Sequence, residues 1–275
     1  MPLIKTDQLK QILCHLIEIV DAAGRVVMDI YECSSAKSNT KEDSSPVTNA
    51  DILAHHLILR ELEKFDFGWP IQSEESGFIP YADRENLDAF WLVDPLDGTK
   101  DFIARTDEFT INIALISEAH PIFGIVLAPA KNRMFFAIEG FGAYERLSTG
   151  EFKKLGSENG QVAQKVILVS GMHVDANTVR FVKGFNDCLV LGMGSSLKIC
   201  LVAAREAIFY PRLNPTYEWD TAAAHIILSE AGGNITDLGG NNLKYNKPNM
   251  LNSNFIAFLE ANRDYVFQQV ATTDF

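Results

Sequence analysis

The chain has 275 residues, 47% hydrophobic and 22% charged, the balance of a globular protein able to bury a large core as two domains or as one layered α/β unit. Thirty-six acidic against 24 basic residues leave a net charge of -12, which disfavours a nucleic-acid polymer as partner and would repel a phosphorylated small molecule unless cations or a local basic patch reversed the field. No apolar run approaches membrane-spanning length and no secretory leader pattern opens the chain, so a cytoplasmic protein without a transmembrane segment is expected, with at most a peripheral association with the inner face of the membrane.

Residues 6–32 carry Leu9, Ile12, Leu13, Leu16, Ile17, Val20, Ala23, Val27 and Ile30 near helical spacing, which predicts a long amphipathic helix. From Glu32 to Pro46 the chain is polar and Ser-rich, as expected of a mobile loop able to cover a site. A second helix, with Leu53, Leu57 and Ile58, opens at Ser45-Pro46-Val47-Thr48-Asn49-Ala50-Asp51. There Asp51 stands three residues after Thr48 and fits the acidic position of a capping box. Trp69 to Gly77 is a short apolar segment running into Glu74-Glu75, which alone reads as a solvated turn.

Phe90 to Val93 then delivers Asp94-Pro95-Leu96-Asp97-Gly98-Thr99. Residues three apart cannot share a strand face, so the chain must bend after the strand if both carboxylates are to meet at a divalent cation. A plain Asp-Gly hairpin turn is the competing reading. An EF-hand is not, since the alternating acidic positions are missing and Arg105 stands where the closing Glu belongs.

Phe109 to Ile116, Phe123 to Ala128 and Met134 to Ile138 read as strands of an antiparallel meander. The polar segment from Arg146 to Gln164 is the expected junction between an N-terminal α+β half, 1–150, and a C-terminal half, 151–275. In the second half, strands at Val166 to Ser170, Cys188 to Leu191, Ala207 to Tyr210 and Phe255 to Leu259 alternate with helices at Asn177 to Phe185, Ser195 to Arg205, Tyr217 to Ala231 and Arg263 to Ala271, an α/β pattern. Asp220 falls in the first turn of one helix, where the dipole alone favours an acid. Cys14, Cys33, Cys188 and Cys200 are scattered, with no Cys-x-x-Cys pair, and read as reduced thiols. His15, His55, His56, His120 and His225 share no ligand spacing and read as structural, with His55 and His56 projecting apart.

Trp91-Leu92-Val93-Asp94-Pro95-Leu96-Asp97-Gly98-Thr99, followed by Trp219-Asp220-Thr221-Ala222-Ala223 and Glu230-Ala231-Gly232-Gly233, resembles the paired signature of the inositol monophosphatase superfamily. Ser73-Glu74-Glu75-Ser76 and Pro46 to Asp51 fall where that family carries its other metal-site segments. The resemblance implies a layered α-β-α-β-α sandwich of the sugar-phosphatase type and two or three magnesium ions on Glu74, Asp94, Asp97, Asp220 and the Leu96 carbonyl. It further implies that Asp51, Thr99 and Glu74 are catalytic, Thr99 and Asp51 orienting a water and taking its proton, and that the amides of Gly98 and Thr99 hold phosphate.

Gly194-Ser195-Ser196-Leu197-Lys198, with Tyr210-Pro211-Arg212 and Pro215 to Asp220, is similar to the CysQ branch of that family, the 3'(2'),5'-bisphosphate nucleotidases. This implies that Ser195, Lys198 and Arg212 take the second phosphate of a small nucleotide bisphosphate, that His173 lies near the nucleotide, and that Asp220 borders the substrate. The implied reaction removes the 3'-phosphate of adenosine 3',5'-bisphosphate, with the sulfated analogue as a further substrate, in a monomer or homodimer. Two departures bear on substrate detail: Ile208-Phe209 where the branch usually has an acidic residue, and Gly171 where it has a basic one. The alternatives are an inositol or sugar-phosphate phosphatase with the same metal site, and a catalytically dead sensor.

Overall fold

The computed structural model describes residues 6–33, 38–40, 46–156, 165–172 and 174–273. The first helix, α1 (Thr6–Glu32), spans the predicted interval and buries Leu9, Leu16, Val20, Ala23 and Val27, together with Ile19. The polar stretch after it is not loop throughout. Strand β1 (Ser38–Thr40) pairs antiparallel with β2 (Pro46–Thr48), and residues 34–37 and 41–45 lie outside the described set. Helix α2 (Asn49–Leu62) follows at once; Ile58 is buried, whereas Leu53 faces outward.

A seven-stranded sheet comes next, built from β3 (Ile71–Ser73), β4 (Ala89–Asp97), β5 (Thr110–Ser117), β6 (His120–Ala128), β7 (Arg133–Ile138), β8 (Gly142–Arg146) and β9 (Phe152–Lys154) in that order. It is the expected antiparallel meander except at one edge, where β3 runs parallel to β4. Short helices α3 (Tyr81–Arg84) and α4 (Thr99–Ala104) flank β4. The segment read as a junction is therefore partly sheet, since β9 falls within it; residues 157–164 lie outside the described set.

The second sheet holds β10 (Val166–Ser170), β11 (Leu189–Met193), β12 (Phe209–Arg212), β13 (Gly233–Asp237) and β14 (Phe255–Leu259), ordered β11-β10-β12-β14-β13. It is mixed: β10 is parallel to β11 and β12, while β14 runs antiparallel to β12 and β13. Helices α5 (Ala176–Val182), α6 (Leu197–Ala203), α7 (Ala222–Glu230) and α8 (Arg263–Val270) complete the half. The helix read from Tyr217 to Ala231 is broken: a 3-10 turn over Glu218–Asp220 ends at Thr221 (φ -122°) before α7 begins.

Alternation along the strands explains the layers. Trp91, Val93, Ile111, Ile113 and Ile125 pack against α1 and α2, while Phe90, Leu92, Ala114, Val126 and Phe135 face α6 and α7. The other side of α6 and α7 meets Tyr210, Phe255 and Ala257 of the second sheet, whose far face carries Ile167, Phe209, Ile256 and Phe258 beneath α5 and α8. That is the expected α-β-α-β-α sandwich. Its central helices lie unusually close to the first sheet at Gly124, where an added Cβ would stand 2.3 Å from the Ala223 carbonyl oxygen.

Candidate active site

The bend that brings Asp94 and Asp97 together lies inside β4, not in a turn after it. Asp94 pairs with Asn112 and Asp97 with Thr110, so β4 uses three steps where β5 uses two. Such a bulge re-aims side chains, and here both carboxylates line one cleft of about 370 Å3. Asp94 Oδ1 accepts the Leu96 N–H at 3.0 Å. The parallel β3–β4 pairing sets Ser73 beside Val93, and the next residue, Glu74, donates its N–H to the Val93 carbonyl at 3.0 Å. Asp220 arrives from the other half on the 3-10 turn, its Oδ2 accepting the Tyr217 N–H at 2.9 Å. Glu74, Asp94, Asp97 and Asp220, with Leu96, therefore line the same cleft.

Thr99 opens α4 behind Gly98, whose φ of +90° suits only a residue without a side chain at low cost. A Cβ there would also crowd the Glu108 carbonyl oxygen at 3.1 Å and Ser195 at 3.4 Å. The Thr99 hydroxyl stands 3.4 Å from Asp51 Oδ1 and 3.3 Å from the Leu96 carbonyl oxygen. Asp51 is buried in the first turn of α2.

Burial pushes the Asp94 and Asp220 carboxyls well above the ordinary range, and neighbouring carboxylates reinforce the shift: Glu74, Asp97 and Asp220 for Asp94, Asp97 and Glu74 for Asp220. Asp97 is also raised by burial, opposed by Lys198, the Ser196 N–H and Arg212. Among the described residues no three His, Cys, Asp or Glu side chains converge closely enough to cage a cation unaided. Spaced carboxylates, a main-chain carbonyl and open cleft volume instead suit a hard cation that keeps waters and shares substrate oxygens, and such a cation would relieve the repulsion.

Ser195 is held at φ +52° and lies in the same lining with Lys198 and Arg212. Lys198 is more buried than a residue expected simply to face substrate. Its Nζ donates to the carbonyls of Ser195 at 2.6 Å and Met193 at 3.0 Å, and lies over the Tyr210 ring. One of its three N–H donors thus has no hydrogen-bond acceptor among the described residues. Burial pushes its pKa down to about 8, against the pull of Asp97. Arg212 donates to Ser170 Oγ and the Pro215 carbonyl, and its buried Nε has no partner among the described residues. His173 lies outside the described residues.

Two further contacts at the site carry no motif in the sequence. His55, one turn after Asp51 on α2, shares a 2.9 Å hydrogen bond with Ser73 Oγ next to Glu74; the i, i+4 spacing from Asp51 was the available signal. Its ring meets that of exposed His56 edge-on at 5.1 Å, so the two do not simply diverge. Glu108 accepts the Gly194 N–H at 2.9 Å and so steadies the loop that carries Ser195.

Residues 8–272 match the Inositol monophosphatase family, and the chain belongs to it. Within that family it is similar to proteins described as 3'(2'),5'-bisphosphate nucleotidase CysQ. The relative from Escherichia coli strain K12 is 38% identical over 245 residues, covering 88% of this chain and 98% of that protein; the one from Salmonella typhimurium is 37% identical over 243 residues, covering 88% and 97%. The crystal structure of CysQ from Bacteroides thetaiotaomicron superposes with a TM-score of 0.79 at 36% identity, covering 89% of this chain and 95% of that one.

Proposed function

We propose that the protein is a magnesium-dependent phosphatase that removes the 3'-phosphate of adenosine 3',5'-bisphosphate, giving AMP and phosphate, and that it also accepts the sulfated analogue. The observation that carries this reading is that Glu74, Asp94, Asp97 and Asp220 line one cleft together with Thr99, Ser195, Lys198 and Arg212. The CysQ relatives support the choice of substrate over the inositol and sugar phosphates.

In this reading Glu74, Asp94, Asp97, Asp220 and the Leu96 carbonyl hold two or three magnesium ions. Bound magnesium supplies Lewis acidity, making water a nucleophile at neutral pH and offsetting charge on the leaving oxygen. Thr99 Oγ1 accepts a proton from the attacking water as its own passes to Asp51 Oδ1, to which it is hydrogen-bonded at 3.4 Å. The amides of Gly98 and Thr99 hold the phosphate under attack. The remaining Lys198 donor and the Arg212 guanidinium take the second phosphate, and His173 attends the nucleoside. All four cysteines are free, consistent with a reducing, cytoplasmic setting. Among the described residues no helix is long and apolar enough to cross a membrane. A monomer or homodimer suffices for this chemistry.

The test is phosphate release from adenosine 3',5'-bisphosphate, inositol 1-phosphate and fructose 1,6-bisphosphate, each with magnesium and with a chelator. The nucleotide should be the preferred substrate and chelation should abolish release. Preference for inositol 1-phosphate would favour the general inositol phosphatase reading, and tight nucleotide binding without release would favour a sensor.

A further inference from the structure

The residue after Asp220 is gripped from behind the cleft by a buried polar chain that the proposed chemistry does not use. Thr221 Oγ1 accepts hydrogen bonds from Tyr245 Oη at 3.2 Å and Asn252 Nδ2 at 3.1 Å, and donates to the Glu218 carbonyl at 3.3 Å. Tyr245 Oη lies 2.9 Å from His225 Nδ1. With the Thr221 proton on Glu218 and the Tyr245 proton on Thr221, Tyr245 Oη accepts from His225 in its Nδ1–H tautomer; Asn234 also bonds the His225 ring. Both rings are buried, Tyr245 almost completely. Burial pushes His225 down to about 4 and the Tyr245 phenol upward, so both stay neutral at physiological pH and the donor order is kept.

Thr221 is also where the 3-10 turn breaks before α7, and this break aims Asp220 into the cleft. Among the described residues the Asp220 carboxylate accepts one hydrogen bond, from the Tyr217 N–H in the same turn. The start of the turn is held at Glu218, by Asn246 and Lys247, and at Tyr217, by Asn252; the end next to Asp220 is held at Thr221. We propose that Tyr245 and His225 are positioning residues, which fix Asp220 against the β4 carboxylates through the Thr221 hydroxyl. The inference rests on the reading of Asp220 as a magnesium ligand. Outer partners of this kind orient ligands, and their loss commonly costs about 10- to 100-fold in metal affinity or activity.

The experiment is magnesium titration by calorimetry on the full chain without substrate, alongside kcat and KM. Tyr245→Phe should bind magnesium about tenfold or more weakly, with kcat at fixed magnesium reduced and KM for the nucleotide little changed. His225→Leu should behave alike, whereas His225→Asn, which restores an N–H donor near Nδ1, should recover most of the affinity. Tyr265→Phe, which removes a hydroxyl bonded to Asp187 on the far side of the second sheet, should match the parent. Parental magnesium affinity in folded Tyr245→Phe overturns the proposal. If that variant does not fold, equal affinity in His225→Leu and His225→Asn overturns it instead. Failure of the parent to hydrolyse the nucleotide with magnesium would be a separate result, against the proposed function.

Discussion

The Asp97 carboxylate accepts the backbone N–H of Ser196, a residue 99 positions further along the chain. That carboxylate thus holds the loop with Ser195 and Lys198 and also lines the cleft with Glu74, Asp94 and Asp220. Asp97→Asn should therefore damage both functions. We expect kcat to fall by more than about 100-fold, beyond the range that outer partners reach, and KM for the nucleotide to rise. The fold should persist, because the buried site already disfavours a charged Asp97. Steady-state kinetics and circular dichroism check this.

Lys198 gives the nucleotide reaction its own pH signature. With its pKa pushed down to about 8, the ammonium loses its proton above that pH, and the attraction for a second phosphate goes with it. The kcat/KM for adenosine 3',5'-bisphosphate should fall along an alkaline limb near pH 8 that inositol 1-phosphate does not share. In Lys198→Met the nucleotide value should drop about tenfold or more, the scale of one charged hydrogen bond, and the differential limb should vanish.

His225 ties stability to pH in the opposite range. Its folded pKa of about 4 lies below the ordinary 6.5, so the unfolded chain binds more protons between these values. Its contribution is complete above pH 6.5 and is lost as pH falls toward 4, a loss of order 3 kcal/mol. Urea midpoints between pH 7 and 4.5 should decline less steeply in His225→Asn than in the parent.

Gly124→Ala tests the layer contact beneath the site. The added methyl would meet the Ala223 backbone and Ile226 Cγ2, at 2.3 and 2.6 Å, and would lift α7 from β6. A loss of about 1–3 kcal/mol is expected, read as a lower unfolding midpoint. Magnesium affinity should weaken with it, since Asp220 lies just before α7.

Much of this was legible in the sequence, for identifiable reasons. The 3.6-residue period of α1 and the alternation of β5 to β7 are single-segment signals that burial on one face enforces. Strand β13 carries no such signal: in Gly233-Asn234-Ile235-Thr236-Asp237, Ile235 is the one large apolar residue, and pairing with β14 makes the strand. The break at Thr221 was hidden because Trp219, Ala222, Ala223 and Ile226 keep an apolar face across it. At the site, the carboxylates could be named from motifs, but the β4 bulge that unites Asp94 with Asp97 exists only against β5. The burial of Lys198 likewise depends on carbonyls five and three residues before it, which composition does not expose.

Whether the carboxylates act through magnesium is decided by phosphate release from adenosine 3',5'-bisphosphate by the parent and by Asp220→Asn, each measured with magnesium and with excess chelator. The parent should turn over with magnesium alone, and Asp220→Asn should be folded and inactive. Undiminished release under chelation, or full activity in Asp220→Asn, would contradict this mechanism.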